Sequence, residues 1–270
     1  MTQRICFMGR GGVGKTILVS NISAALAAKG FHVLQIGNDI SLNSTELLRE
    51  SKQITPVLDE FRLKYDIRVE DYLVETPSGV YCLELGSIDP GAGCLARGLS
   101  IVDEMMDSQK MLEKYHIDVV IYDIAGDTPC TGYTLPVREG IMDKVILVTN
   151  DRYASVSTVN CLLSAVLRQG EGHPLVYLLE NHTDSMSESE LLDAYAAETH
   201  MTVLGCIEYN EVTEHAALMD ETVVCEYPES GQAKIFRELA QKIVDVNTCS
   251  EPEPFSRTEL LEWQQQWKMK

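Results

Sequence analysis

Residues 9–16 read GRGGVGKT and follow RICFM, residues 4–8, a short apolar run of strand character. The octet fits G-x-x-x-x-G-K-[ST], and the fit has a mechanism. Gly9, Gly11, Gly12 and Gly14, with Val13 among them, let backbone N–H groups turn inward around phosphate oxygens. Lys15 then reaches the β- and γ-phosphates, and Thr16 opens a helix with its hydroxyl toward Mg²⁺. Strand, loop and helix in that order predict a nucleotide site. Arg10 is a second cation in a loop that needs only one.

Outward from this loop, β-type runs alternate with longer helical stretches: 4–8, 17–29, 32–36, 80–85, 99–114, 118–123, 144–149, 154–168, 175–179, 187–199, 203–207 and 231–246. Such alternation predicts βαβ units, hence an α/β fold with a doubly wound, mostly parallel sheet and helices on both faces. Ligands bind such sheets at the carboxyl ends of the strands. Two acidic residues fall there: Asp39, after the second strand, and Asp123, ending the strand IDVVIYD, where a carboxylate can hold Mg²⁺ through water. Residues 50–79 show no clear pattern.

Residues 1–247 read as one nucleotide-binding unit, and residues 248–270 as a C-terminal arm. Two prolines open the arm, and Ser256 with Glu259 three positions on forms a capping box for a last short helix. Leu260, Trp263 and Trp267 fall on one face of that helix. The arm is expected to pack on its own domain or on a sister subunit. Membrane anchoring is disfavoured, because Glu259 and Glu262 leave the polar face only weakly basic.

The 270 residues, 45% of them apolar, can bury a large core. Twenty-two basic against 41 acidic residues give a formal charge of −19, which disfavours nucleic acid and anionic membrane as partners. No apolar run nears the roughly 18 residues that cross a bilayer, and the first strand follows Met1 too closely for a signal peptide, so a cytoplasmic protein is expected. Eight cysteines in that compartment read as core thiols and metal ligands rather than a disulfide framework.

Arg10 resembles the extra cation of the deviant phosphate loops, usually a lysine that reaches across a dimer to the partner's nucleotide. Arginine keeps the charge and adds a fork of donors suited to phosphate. This resemblance implies a nucleotide-dependent homodimer.

Two segments hold a cysteine among glycines: LELGSIDPGAGCLARGLS, residues 83–100, and YDIAGDTPCTGYTLPVRE, residues 122–139. Taken alone, Cys94 and Cys130 read as small core residues. Their flanks resemble the nitrogenase iron protein family through Glu84, Gly86, Pro90, Gly91, Gly93, Cys94, Arg97 and Gly98, and through Asp123, Gly126, Asp127, Cys130, Gly132, Pro136, Arg138 and Glu139. GNDISLNST, residues 37–45, and EYPESGQAKIFRELAQKIVD, residues 226–245, extend the likeness over about residues 3–246.

The resemblance implies a homodimer in which Cys94 and Cys130 of each subunit hold one [4Fe-4S] cluster, with MgATP gating electron delivery to a separate nitrogenase-like catalytic component. A low-potential ferredoxin or flavodoxin is the implied donor. The chain has no C-x-x-C run to supply four thiolates locally, which suits a shared cluster. By the same resemblance Arg97 docks the partner, Asn181 lies on the adenine side, and Asp127 positions the attacking water or senses the γ-phosphate. Only seven residues separate Asp123 from Cys130, so a shift between nucleotide states has little slack before reaching the cluster.

Some family positions differ. Ile17 replaces a hydroxyl residue; Ser41 and Asn43 stand where lysine and aspartate are usual; Leu95 and Ala96 replace smaller residues; Thr131 and Tyr133 replace glycine and phenylalanine; Tyr209, Asn210 and Glu214 replace arginine, aspartate and glutamine. Two alternative functions share the loop: a positioning or partition ATPase without a cluster, and a scaffold ATPase for iron–sulfur assembly.

Overall fold

The computed structural model describes residues 2–86, 95–124, 137, 140–168, 173–182, 184 and 190–268. Its frame is an eight-stranded sheet: β1 (Gln3–Gly9), β2 (Val33–Asn38), β3 (Val74–Glu75), β4 (Tyr81–Glu84), β5 (Val119–Ile124), β6 (Lys144–Thr149), β7 (Leu175–Asn181) and β8 (Val203–Ile207). The spatial order is β3-β4-β2-β5-β1-β6-β7-β8. Among the described strands only the two-residue edge strand β3 runs antiparallel; the other neighbours are parallel. The alternation read from the sequence therefore yields the doubly wound sheet it predicts.

Eleven described α-helices accompany the strands: α1 (Lys15–Ala28), α2 (Glu46–Arg49), α3 (Val57–Lys64), α4 (Leu95–Ser108), α5 (Met111–Lys114), α6 (Tyr153–Leu167), α7 (Glu190–Glu198), α8 (Glu211–Leu218), α9 (Val223–Glu226), α10 (Gly231–Asp245) and α11 (Arg257–Lys268). The run 99–114 is not one helix. It divides between α4 and α5, where Lys110 adopts the left-handed conformation at φ 53°. Residues 50–79 prove to be short pieces, α3, a 3₁₀ turn over Val69–Tyr72, and β3, none long enough to print a period on the sequence.

Strand residues alternate between two cores, as a period of two requires. Ile5 and Phe7 pack with α1 and α10, whereas Cys6 and Met8 pack on the opposite face with α4, α6 and α7. The same alternation turns Val119 and Ile121 toward α1, and Tyr122 away from it. Asp123 follows Tyr122 and so returns to the α1 face.

The arm closes over the second core. Ser256 N donates to Glu259 Oε2 at 2.7 Å and Glu259 N to Ser256 Oγ at 3.3 Å, a reciprocal capping box that starts α11. Leu260 and Trp263 are buried, Trp267 packs against the same core, and Trp263 Nε1 donates to Glu198 Oε1 at 3.1 Å. Tyr195 meets Phe255 and Trp263 edge-on, each at 5.8 Å between centroids. The apolar face of α11 is thus covered by its own chain. Among the described residues no helix is long and apolar enough to cross a membrane.

Candidate functional site

The site forms where β1, β5 and β2 end side by side. Register pairs Phe7 with Asp123 and Gly37 with Asp123, so the loop after β1, the end of β5 and the loop after β2 open toward one another. Gly9 ends β1 so close to β6 that a Cβ there would lie 2.2 Å from the Val148 carbonyl oxygen. Gly11, Gly12 and Val13 form the turn, with Val13 buried and Gly12 exposed at φ 78°.

Gly14 holds φ 80° directly before α1 and lends the helix no side-chain cap. The first N–H groups of a 14-residue helix thus remain available to an anion, and Lys15 is 7% exposed beside them. Arg10 is exposed at the rim of the loop.

Thr16 Oγ1 donates to Asp123 Oδ2 at 2.8 Å. Burial pushes the Asp123 carboxyl upward, opposed by the Lys15 ammonium and by hydrogen bonds from Thr16 and Ser44, while Asp39 adds to the rise. Asp39 is half-buried in the loop after β2, where its Oδ1 accepts from Ser41 N at 3.1 Å. A dication between these carboxylates and the Thr16 hydroxyl relieves the repulsion, so the donor set fits Mg²⁺ accompanying a nucleotide.

Glu84 has a larger part here than the sequence shows. Its Oε1 accepts from Thr45 N at 2.8 Å and Thr45 Oγ1 at 2.7 Å. Its Oε2 has no partner among the described residues and lies where a Cβ on Gly37 would come within 1.9 Å. Burial pushes this carboxyl up to about 7, against the hydrogen bonds from Thr45 and the charge of Arg49. Arg49 continues the network: Nε donates to Thr45 Oγ1 at 2.9 Å and Nη2 to the carbonyl of Leu42, which stands at φ 57°, at 2.9 Å. Glu84, Thr45 and Arg49 therefore position the loop that carries Asp39. The one sequence signal for this was the match of Glu84 within the first glycine loop.

Beside the phosphate loop, an open cleft is lined by Gly14, Ile17, Asn181, Ile207, Tyr209 and Phe236, among others. Its mixed apolar and polar lining suits a nucleobase. Asn181 Nδ2 donates to the Val13 carbonyl at 2.8 Å, tying the end of β7 to the loop and leaving the amide oxygen for other partners. Ile17 supplies an apolar wall, and Asn210 is engaged as the cap of α8, accepting from Val212 N at 2.9 Å.

Cys94, Cys130 and Asp127 lie outside the described residues. Arg97 is exposed in the first turn of α4. Cys6 and Cys82 are fully buried in strands, and burial pushes both thiols far up, which makes them poor thiolate ligands. Cys161, Cys206 and Cys225 are exposed on three different elements, and Cys249 is half-buried in the arm.

A glycine turn aimed at an anion, with its threonine held by a carboxylate on the next parallel strand, belongs to P-loop nucleotide-binding proteins, and Arg10 puts the loop in their deviant subclass. More particularly, a family model described as "4Fe-4S iron sulfur cluster binding proteins, NifH/frxC family" matches residues 3–270, and the chain belongs to that family. The match runs through the arm, beyond the likeness read from the sequence.

"Nitrogenase iron protein 2" of Paenibacillus durus is 36% identical over 267 residues, covering 98% of this chain and 91% of the relative. The "Nitrogenase iron protein" of Methanococcus voltae is 33% identical over 258 residues, covering 94% and 92%. In fold, the chain is similar to the cell division ATPase MinD of Pyrococcus furiosus, with a TM-score of 0.71 at 22% identity over 91% of this chain and 99% of that one.

Proposed function

We propose that this chain is an ATP-dependent electron-transfer protein, the reductase component of a nitrogenase-like system. In this reading two subunits share one [4Fe-4S] cluster through Cys94 and Cys130 of each, and deliver electrons to a separate nitrogenase-like catalytic component. A low-potential ferredoxin or flavodoxin reloads the cluster, and MgATP binding and hydrolysis gate delivery. The observation that carries it is membership, over residues 3–270, of a family of 4Fe-4S cluster binding proteins by a chain whose Thr16 and Asp123 meet at 2.8 Å beside a phosphate loop.

The roles follow from position. Gly9, Gly11, Gly12, Val13 and Gly14 present backbone N–H groups to the phosphates, and Lys15 adds a buried cation. Thr16 and Asp123 orient Mg²⁺, with Asp39 across from them and Glu84 holding the Asp39 loop. Asn181 borders the base cleft. Asp127 positions the water, Arg10 acts across the dimer and Arg97 docks the catalytic component. The cluster, when bound, supplies a one-electron couple; this chain's part is to bind it with four thiolates per dimer and to move the segment between Asp123 and Cys130 with nucleotide state.

Likeness to MinD carries the fold alone and does not favour a cluster-free positioning ATPase. The test is anaerobic purification with iron analysis, where about four irons per dimer are expected from one cubane. Cys94→Ser and Cys130→Ser should each abolish the iron, whereas Cys161→Ser, on the exposed side of α6, should leave it unchanged. Colourless, iron-free wild-type protein would return the positioning ATPase to first place. Iron that is present but transferred to an apo-acceptor, without electron delivery, would favour the assembly scaffold.

A further inference from the structure

Glu180, His182 and Cys206 stand together at the carboxyl ends of β7 and β8. Glu180 and Cys206 are register partners on adjacent parallel strands, and His182, two residues beyond Glu180, is held by its N–H to the Ile207 carbonyl at 2.8 Å. One donor atom from each of the three lies within 4.8 Å of the others. Cys206 Sγ is 3.6 Å from His182 Nε2, and that same nitrogen is 4.0 Å from Glu180 Oε2. Glu180 is 2% and His182 8% exposed, whereas Cys206 opens to solvent.

Two features separate this cluster from an ordinary polar contact. First, the buried Glu180 Oε1 has no hydrogen-bond partner among the described residues. An oxygen so placed costs about 1–3 kcal/mol, or more if charged, unless something pairs with it. Second, thiol and carboxylate approach the same imidazole nitrogen. A proton relay uses both ring nitrogens, one toward the nucleophile and the other toward the carboxylate. Convergence on a single nitrogen is instead the geometry of three donors around a shared point.

We propose that Glu180, His182 and Cys206 form a binding site for a borderline transition-metal dication of the zinc type. One sulfur, one nitrogen and one oxygen suit zinc, whereas Mg²⁺ and Ca²⁺ take oxygen alone. Zinc bonds of about 2.0–2.3 Å set tetrahedral donors about 3.3–3.7 Å apart; the 3.6 Å between Cys206 Sγ and His182 Nε2 falls in that range, and the 4.0 Å between Nε2 and Glu180 Oε2 exceeds it by a few tenths of an ångström. Three protein donors leave the fourth position to water. Asp193 and Glu208 add negative charge around the cluster, a field that a dication neutralises. Asn181 lies between Glu180 and His182 in the chain, so the ion fixes the strand ends that border the base cleft. The site does not depend on the iron–sulfur reading and uses none of its cysteines.

The test is titration of the full-length protein with Zn²⁺, and separately with Co²⁺ as a spectroscopic substitute, in wild type and in Glu180→Gln, His182→Ala and Cys206→Ser. Wild type should bind one ion per chain at this site, with tetrahedral ligand-field bands and a thiolate-to-cobalt charge-transfer band. Each variant should weaken binding by about 100-fold, the upper range for losing even an outer-shell partner. Zinc should raise the melting temperature of wild type and not of Cys206→Ser, whose exposed and conservative exchange keeps the fold testable. The same binding in a Cys94→Ser, Cys130→Ser double variant would set the site apart from any thiols that hold iron. Equal zinc affinity in wild type, His182→Ala and Cys206→Ser, no zinc binding in wild type, or a loss that follows Cys94 and Cys130 instead would each overturn the proposal.

Discussion

The Thr16 hydroxyl donates to Asp123 Oδ2 at 2.8 Å across 107 positions of sequence, joining the first turn of α1 to the end of β5. The bond holds in place both the hydroxyl and the carboxylate that the proposed function assigns to Mg²⁺. Thr16→Val keeps the shape and removes the donor, leaving a buried carboxylate one bond short at a cost of about 1.5–3 kcal/mol. Denaturant melts should show that loss of stability, and Mg²⁺-dependent ATP hydrolysis should fall at least about tenfold on the same free-energy scale. Unchanged hydrolysis would remove Thr16 from the metal site.

Arg10 sits exposed at the rim of the loop, and the proposed trans role has it reach the nucleotide of a partner subunit. Mixed dimers joining an Arg10→Ala subunit to an Asp127→Asn subunit separate the two ways it can act. If Arg10 acts across the interface, the Arg10→Ala subunit keeps its own Asp127 and receives an intact Arg10 from its sister, so ATP hydrolysis should be near half that of the wild-type dimer. Near-zero hydrolysis would mean that each site carries one defect and that Arg10 serves its own subunit.

Glu84 gives stability a pH dependence with a definite sign. Its folded value of about 7 exceeds the ordinary 4.5, so the folded state holds the proton more tightly than the unfolded state. The contribution is fully present below about pH 4.5 and is lost as pH rises through 7. Arg49 and Asp123 are the charged groups acting on it. Glu84→Gln should remove up to about 3 kcal/mol of this slope between those limits, read from denaturant midpoints at each pH. A variant whose stability falls across that window as steeply as wild type would exclude Glu84 as its origin.

Trp263 anchors the arm through its burial between Tyr195 and Phe255 and its bond to Glu198. Trp263→Ala should cost about 3–5 kcal/mol and expose the arm to proteolysis near residue 250. Because α11 lies far from the loop after β1 in sequence and packs on the opposite face from α1, nucleotide affinity should stay unchanged in protein that remains folded. Protease resistance equal to wild type would show that the arm is held by something other than this contact.

The features legible in the sequence were those written locally. The glycines, lysine and threonine of residues 9–16 specify a backbone turn and its ligand within one strand–loop–helix unit. Ser256 and Glu259 specify a cap within one turn, and strands and helices of ordinary length print periods of two and 3.6. Short elements print nothing readable, which is why α2, α3, β3, α8 and α9 emerged only from the packing.

Strand order decided the rest. Placing β5 between β1 and β2 brings Asp123 to Thr16, and placing β4 beside β2 lays the Glu84 carboxylate over Gly37. The parallel register of β7 and β8 sets Glu180 opposite Cys206, 26 residues apart, with His182 two residues beyond Glu180. Periodicity can assign each of these side chains to a face of the sheet, but which strands become neighbours is settled by the burial of both cores at once. Their chemistry is therefore a property of the folded sheet and of no single stretch of chain.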